Sequence, residues 1–286
     1  MIEDIGFREK TYAKFIKHPL KLSLFCIVVI AITRLVFSIV VLLILHALGM
    51  PTTATHWAVS VLNFDAITRY IFSIPAIILV GIAVRTNGFK FTFSSKGLVK
   101  GLFCFVPLIA LSVFEFVTNA SARELYFTHE VAAAIFFEGA RGLYEEVLFR
   151  GLLMSAYLVH LSHSWDKSLI KRLMFIVCCG VFFGVVHVPA TWYVALFAIT
   201  VGITFCAAYV YSKSLLACVV VHVISNAVYQ SAIVMGLIPV NSAMAALHMS
   251  FVNAAVFTVL CVTSVIFSII LVVKSKPFVE VPIDNL

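Results

Sequence analysis

Between residues 136 and 153 the chain reads F-F-E-G-A-R-G-L-Y-E-E-V-L-F-R-G-L-L, which sets Glu138, Arg141, Glu145, Glu146 and Arg150 in an otherwise apolar run. On a helix Arg141 stands one turn before Glu145, and Glu146 one turn before Arg150, the i, i+4 spacing at which opposite charges meet. Two further apolar stretches carry polar groups. In F-F-G-V-V-H-V-P, Phe183 and His187 share a helical face and Pro189 ends the helix; in V-V-V-H-V-I-S-N-A, His222 and Asn226 lie one turn apart. Carboxylates, imidazoles, an amide and a guanidinium in apolar surroundings offer a base, a proton shuttle and donors for an oxyanion. The same groups would also serve as ion pairs and interhelical hydrogen bonds that only hold helices together. Residue types alone leave both readings open.

Taken in order, the three stretches resemble the motifs E-E-x-x-x-R, F-x-x-x-H and H-x-x-x-N of the CPBP family of CAAX proteases and bacteriocin-processing proteins, also called the Abi or type II CAAX endopeptidase family. The resemblance covers roughly residues 145 to 226, with no departure at the motif positions. It implies an intramembrane endopeptidase in which glutamate and histidine activate water, and the chemistry of the residues agrees. A carboxylate in an apolar site accepts a proton from water more readily than one in bulk solvent, which makes Glu145 the general base. Glu146 pairs with Arg150 as structural support. His187 polarises the same water or passes its proton to the leaving amine. His222 and the Asn226 amide donate to the tetrahedral oxyanion, and Phe183 packs. Glu138 and Arg141 are charges that the motifs do not explain.

A zinc-dependent version of the same enzyme would use Glu145, His187 and His222 as a two-histidine, one-carboxylate site with water in the fourth position. H-E-x-x-H is absent and the three ligands stand on separate segments, so spacing neither supports nor excludes it. The version with no metal and no cofactor is preferred, because Asn226 on the face of His222 suits an oxyanion hole better than a zinc shell. Serine and cysteine mechanisms have less support: there is no G-x-S-x-G, and Cys178 and Cys179 have no evident activating partner.

The elements that must position these groups follow from composition. Of 286 residues 63% are hydrophobic and 12% charged, where a soluble domain carries about 25% charge, and the mean hydropathy is +1.11. The bilayer is the implied solvent. Eight apolar runs approach the roughly 20 residues that cross about 30 Å of hydrocarbon as a helix. They fall near 22–48, 66–84, 98–117, 131–158, 173–188, 193–211, 214–235 and 251–273. The first is interrupted by Arg34 and is too long for a signal-peptide core, so it is expected to remain in the mature protein. The fold expected is an all-α, polytopic membrane helix bundle of about eight transmembrane helices. It reads as one integral-membrane domain over 1–286, with a basic segment at 1–21 and a motif-bearing core at about 131–235.

Alternating the connections between two sides puts 15 Lys and Arg on one side and Arg123 alone on the other, and four more lie inside the runs. By the positive-inside rule both termini are cytoplasmic. That split accounts for the net charge of +7 without nucleic acid as a partner. Lys10, Lys14, Lys17 and Lys21 have helical spacing, so the N-terminal segment either lies along the membrane surface or is a solvated tail. Seven cysteines in apolar runs, with no C-x-x-C, read as packing residues.

The partners expected are membrane lipid and a peptide or membrane-protein substrate; oligomeric state is open. The resemblance implies either CAAX-type prenylated C-termini or bacterial peptide processing, bacteriocin immunity, secretion or anchoring. Compact loops and the lack of an endoplasmic-reticulum retention signal suggest a bacterial plasma membrane. The rival classes are a proton-coupled transporter, against which stands the lack of paired repeats, and a noncatalytic scaffold.

Overall fold

The computed structural model describes residues 19–47, 49, 67–78, 97–119, 129–162, 168–186, 192–234 and 251–276. Their regular structure is helical, without a strand. In chain order the helices are α1 (Pro19–Ala47), α2 (Ile67–Ile78), α3 (Leu98–Phe103), α4 (Val106–Asn119) and α5 (His129–Glu146). After a π-helical segment at Val147–Met154 come α6 (Ser155–Ser162), α7 (Leu169–Val186), α8 (Trp192–Ser212), α9 (Leu215–Val234) and α10 (Phe251–Val273). The chain forms two compact units: residues 1–91, 136–163 and 277–286 make one, residues 92–135 and 164–276 the other.

In the first unit α1 packs against the π-helical segment and α6. The Phe37 and Phe72 rings, 6.0 Å apart, join α1 to α2. Tyr70 joins α2 to α5: its ring lies 5.1 Å from that of Phe136, and its hydroxyl donates to the Phe136 carbonyl at 3.3 Å. Along α1, Ile30 is buried, whereas Phe25, Ile32, Leu35 and Leu43 are exposed. A helix that turns so many large apolar side chains outward is suited to a hydrocarbon surrounding.

The second unit is built around α8, which packs against α3, α7, α9 and α10. Residues 202–210 of α8 are all buried, as expected of a helix that is apolar on every side. Gly180 and Gly184 on α7 let the two backbones approach closely. A methyl group added at Gly180 would overlap Ile203 Cγ1, and one at Gly184 would sit 2.5 Å from Ile199 Cγ1. This is the small-xxx-small contact of membrane helix pairs.

These contacts also fix direction. Gly184 meets Ile199 while Gly180 meets Ile203, so α7 and α8 are antiparallel. Phe197 faces Phe257 and Thr204 faces Ser268, so α8 and α10 run parallel. At the C-terminal end of α8, Lys100 donates to the Tyr211 carbonyl at 3.1 Å. Lys213 takes the left-handed conformation, φ 59, that closes the helix, and the Ser214 hydroxyl accepts from the Ala217 N–H as the cap of α9. At the same end the buried Arg172 donates to Ser275 Oγ at 3.0 Å and to the Val272 carbonyl, capping α10. Every Lys and Arg among the described residues of this unit, at 100, 171, 172, 213, 274 and 276, therefore gathers at one end.

The eight-run expectation is met only in part. Among the described residues, two helices are long and apolar enough to cross a membrane, Val194–Ser212 and Val252–Val273. The run expected at 98–117 breaks into α3 and α4 at Cys104 and Phe105, whose N–H groups donate three residues back to Gly101 and Leu102. Pro107, with no N–H to donate to Phe103, is the cause. The run at 131–158 is helical throughout but widens into π-helical turns from Val147. The basic residues at 8–17 lie outside the described residues.

Candidate active site

Glu145 lies in the last α-helical turn of α5, and its carboxylate is set among cations. Arg141 Nε donates to Glu145 Oε1 at 3.0 Å, the i, i+4 pair that the spacing requires. A second guanidinium comes from α2: Arg69 Nη1 lies 3.8 Å from the same oxygen. Arg141 also reaches the buried Glu138, with Nη1 3.9 Å from Oε1. Arg69 Cζ stands 5.8 Å from the centroids of both the Phe137 and Tyr144 rings. Arg34 of α1 stands 5.2 Å from the Tyr144 ring. Guanidinium faces on aromatic rings gain about 0.5–2 kcal/mol each and leave the N–H edges as the hydrogen-bonding direction.

The next residue has a different fate. The Glu146 side chain is 0% exposed and accepts from Arg150 Nη1 at 2.9 Å, with the Arg150 side chain 5% exposed. Arg150 lies inside the π-helical segment. Its carbonyl accepts from both the backbone N–H and the hydroxyl of Ser155, five residues on, at 2.8 Å for the hydroxyl. Such wide turns are rare and recur at functional sites. Here the segment begins directly after the two glutamates.

The second unit holds the other two motifs. A methyl group added at Gly202 of α8 would lie 2.9 Å from Phe183 Cβ, so Phe183 sits directly on that glycine. Three residues further along α8, the Phe205 ring meets the buried His222 edge-on, with centroids 5.5 Å apart. Three residues advance a helix by about 4.5 Å, so one turn of α8 supports both motifs. Phe205 is itself fixed by Phe105, with ring centroids 4.6 Å apart. Asn226 is half-buried one turn after His222, whereas Ser225 is exposed. His187 lies outside the described residues, one position beyond the last described residue of α7.

Sequence reasoning named the pairs Arg141–Glu145 and Glu146–Arg150, and the structure forms both. It missed Arg34, Arg69 and Tyr144 around Glu145. The signal was present, since a lone arginine in an apolar run costs as much as one in a charged run. It also missed Gly180, Gly184 and Gly202, although G-x-x-x-G in an apolar helix is a readable packing pattern. Among the described residues no group of three His, Cys, Asp or Glu side chains is arranged to hold a metal ion. Cys104, Cys178, Cys179, Cys206, Cys218 and Cys261 are free thiols.

Residues 127–228 match the model of the type II CAAX prenyl endopeptidase Rce1-like family. All three motifs fall inside the matched segment, which is thus of the CPBP/CAAX protease kind that the motifs resemble. No curated protein and no solved structure shows significant similarity to the chain.

Proposed function

We propose that this chain, whose residues 127–228 form an Rce1-like protease segment, is a multi-pass membrane endopeptidase that hydrolyses peptide bonds of membrane-associated peptides or proteins. Glu145 is the general base, and the observation that carries this is the contrast between two adjacent glutamates. Glu146 is fully enclosed and closed off by Arg150, whereas the Glu145 side chain is 20% exposed. A base has to be reached by water and substrate; only Glu145 is. Its two guanidinium neighbours hold the carboxylate in place through Oε1.

His187 shares the handling of the water proton and donates to the leaving amine. His222 and Asn226 stabilise the oxyanion, with His222 held by Phe205 and the helical phase of both set by the Ser214 cap. Pre-positioned donors of this kind are worth about 2.7–4 kcal/mol each in the transition state. Phe183 seats motif two on α8.

The metal-free version is favoured by the surroundings of Glu145. A zinc ion ligated there would lie beside Arg69 and Arg141, where like charges repel in a low-dielectric site. The residues described do not suit the ion, and no step runs through it. The gathering of Lys100, Arg172, Lys213, Lys274 and Lys276 at one end of the second unit supports a multi-pass arrangement with that end cytoplasmic. The membrane is taken as a bacterial plasma membrane, and prenylated C-terminal tails or processed bacterial peptides are the substrates to try.

The test is cleavage of quenched peptides, with and without a farnesylated C-terminus, by purified protein in lipid. Glu145→Gln should abolish turnover while the protein still folds, and a strong chelator should leave the wild type active. Wild-type turnover by Glu145→Gln removes the base. Loss on chelation with rescue by zinc replaces the mechanism.

A further inference from the structure

Two charges of the 136–153 run, Glu138 and Arg141, belong to none of the three motifs. The structure puts them in one line with Glu145. The three residues follow the i, i+3, i+7 spacing of a single face of α5, so Arg141 stands between two carboxylates that are about 10 Å apart along the helix axis. It bonds one and borders the other: Nε donates to Glu145 Oε1 at 3.0 Å, and Nη1 lies 3.9 Å from Glu138 Oε1. Closing the second contact to a charge-assisted hydrogen bond takes a shift of roughly 1 Å. The side chains are unequally open, with Glu138 6% exposed, Glu145 20% and Arg141 35%. The arginine therefore has room to move, while Glu138 is too enclosed to act on water itself.

A general base does not keep its charge through a turnover. As the water oxygen bonds to the carbonyl carbon, one water proton goes to Glu145, and it stays there until it is passed on to the amine nitrogen as the C–N bond breaks. For that interval Glu145 is neutral, and Arg141 has lost the anion it was bonded to. A guanidinium in an apolar helical run is costly without a carboxylate, and Glu138 is a carboxylate already within reach. We infer that Glu138 is a positioning residue for the base: it takes over Arg141 while Glu145 carries the proton and gives it back when the proton leaves, so that Arg141 stays beside Glu145 at every step. The inference rests on reading Glu145 as the base of a peptidase.

The experiment starts with a melting cycle on the full chain in detergent, in which Glu145→Gln stands in for the protonated base. Glu138→Gln and Glu145→Gln each leave Arg141 one of its two carboxylates, and the double variant leaves it neither. The double variant should melt at least about 4 °C lower than the two single losses add up to. Adding Arg141→Met should remove that excess, which singles out Arg141 from Arg69, the other guanidinium near Glu145. Additive losses overturn the inference, and so does an excess that survives Arg141→Met. The role in turnover is read from quenched-peptide cleavage in phosphatidylcholine vesicles. Glu138→Gln should lower kcat at least about tenfold with KM within about twofold of wild type, and Glu138→Asp, which keeps the charge, should recover most of the rate. A glutamate that only held the fold would lower the melting temperature and leave kcat per folded molecule unchanged; that result also overturns the inference. Failure of the wild type to cleave any peptide sinks the peptidase reading and the positioning role with it, whereas additive melting or an unchanged kcat in an active enzyme sinks the positioning role alone.

Discussion

Deleting the Arg150 guanidinium while Glu146 stays in place tests whether the buried pair holds the fold as the geometry implies. The Glu146 carboxylate is 0% exposed and 2.9 Å from its partner, so Arg150→Ala leaves a charge buried in the helix with its bonded cation gone. Breaking such a pair from one side costs about 3–5 kcal/mol. For a chain of this size each kcal/mol lowers the melting temperature by about 2–4 °C, so a fall of roughly 6–20 °C is expected. Arg141→Ala is the internal comparison, because it breaks a pair of the same spacing whose side chains are 35% and 20% exposed. Partial solvation screens that pair, and the contact Arg141 also makes with the buried Glu138 is long, at 3.9 Å, so the expected cost is about 1 kcal/mol, well below that of Arg150→Ala. The double variant Glu146→Leu/Arg150→Met removes both desolvation penalties and should recover most of the stability lost by the single change. Thermal unfolding in detergent, followed by tryptophan fluorescence, gives all three values. Arg150→Ala melting within about 2 °C of wild type refutes the reasoning, as does a double variant that melts as low as the single one.

Three further outcomes follow from the second unit and the chain's orientation. His222→Ala and Asn226→Ala should each lower kcat about 10²–10³-fold with KM nearly unchanged, since oxyanion contacts form in the transition state; a rise in KM alone would move both residues to substrate recognition. Gly180→Leu should drive α7 away from Ile203 and cost about 1–3 kcal/mol by overpacking, measured as a lower melting temperature together with reduced turnover; an unchanged melting temperature would mean that the close contact is not needed. Single cysteines at Lys100→Cys, Lys213→Cys and Lys276→Cys, in a chain cleared of its own cysteines, should react with an impermeant maleimide from the same face of sealed vesicles, and Arg123→Cys from the opposite face. Labelling of Lys213→Cys and Lys276→Cys from opposite faces would break the orientation.

Helices and local ion pairs were legible in the sequence because both depend on spacing along one segment. Arg141 and Glu145 meet as any i, i+4 pair on a helix meets, and the run from 131 to 158 is helical from end to end. Three things were hidden for physical reasons. The π-helical turns begin after Glu146 without a residue type that requires them; they show only in the backbone, as where the Ser155 N–H and hydroxyl both reach the Arg150 carbonyl five residues back. The break at Cys104 was readable from Pro107 but masked by the continuous apolar composition around it. Arg34 and Arg69 each interrupt a different apolar run, and only tertiary structure shows that they share Tyr144.

The same limit applies to α8, whose sequence marks it only as an apolar run although it does most to place motifs two and three. It carries no charge, no histidine and no motif residue, and to a search for chemistry it is an unremarked apolar run. Its effect is geometric. Gly202 has no side chain, so Phe183 can settle on the backbone; Phe205, one turn away, presents a ring edge-on to His222. Phe105 holds that ring from the break between α3 and α4, and the Lys213–Ser214 turn fixes where α9 starts and hence which way His222 and Asn226 face. A catalytic donor displaced by about 1 Å can lose a hundredfold in rate. Residues that never touch substrate are therefore held here by close packing, with Tyr209 and Phe105 fully buried, rather than by charge. The first unit solves its problem the other way, with guanidinium groups converging on one carboxylate. Apolar contacts set position without adding a field, whereas arginines set position and field together. On the mechanism proposed above, motifs two and three call for neutral donors at a fixed height, which packing supplies, and the base calls for a carboxylate kept in place while water and peptide approach it, which the arginines around Glu145 supply.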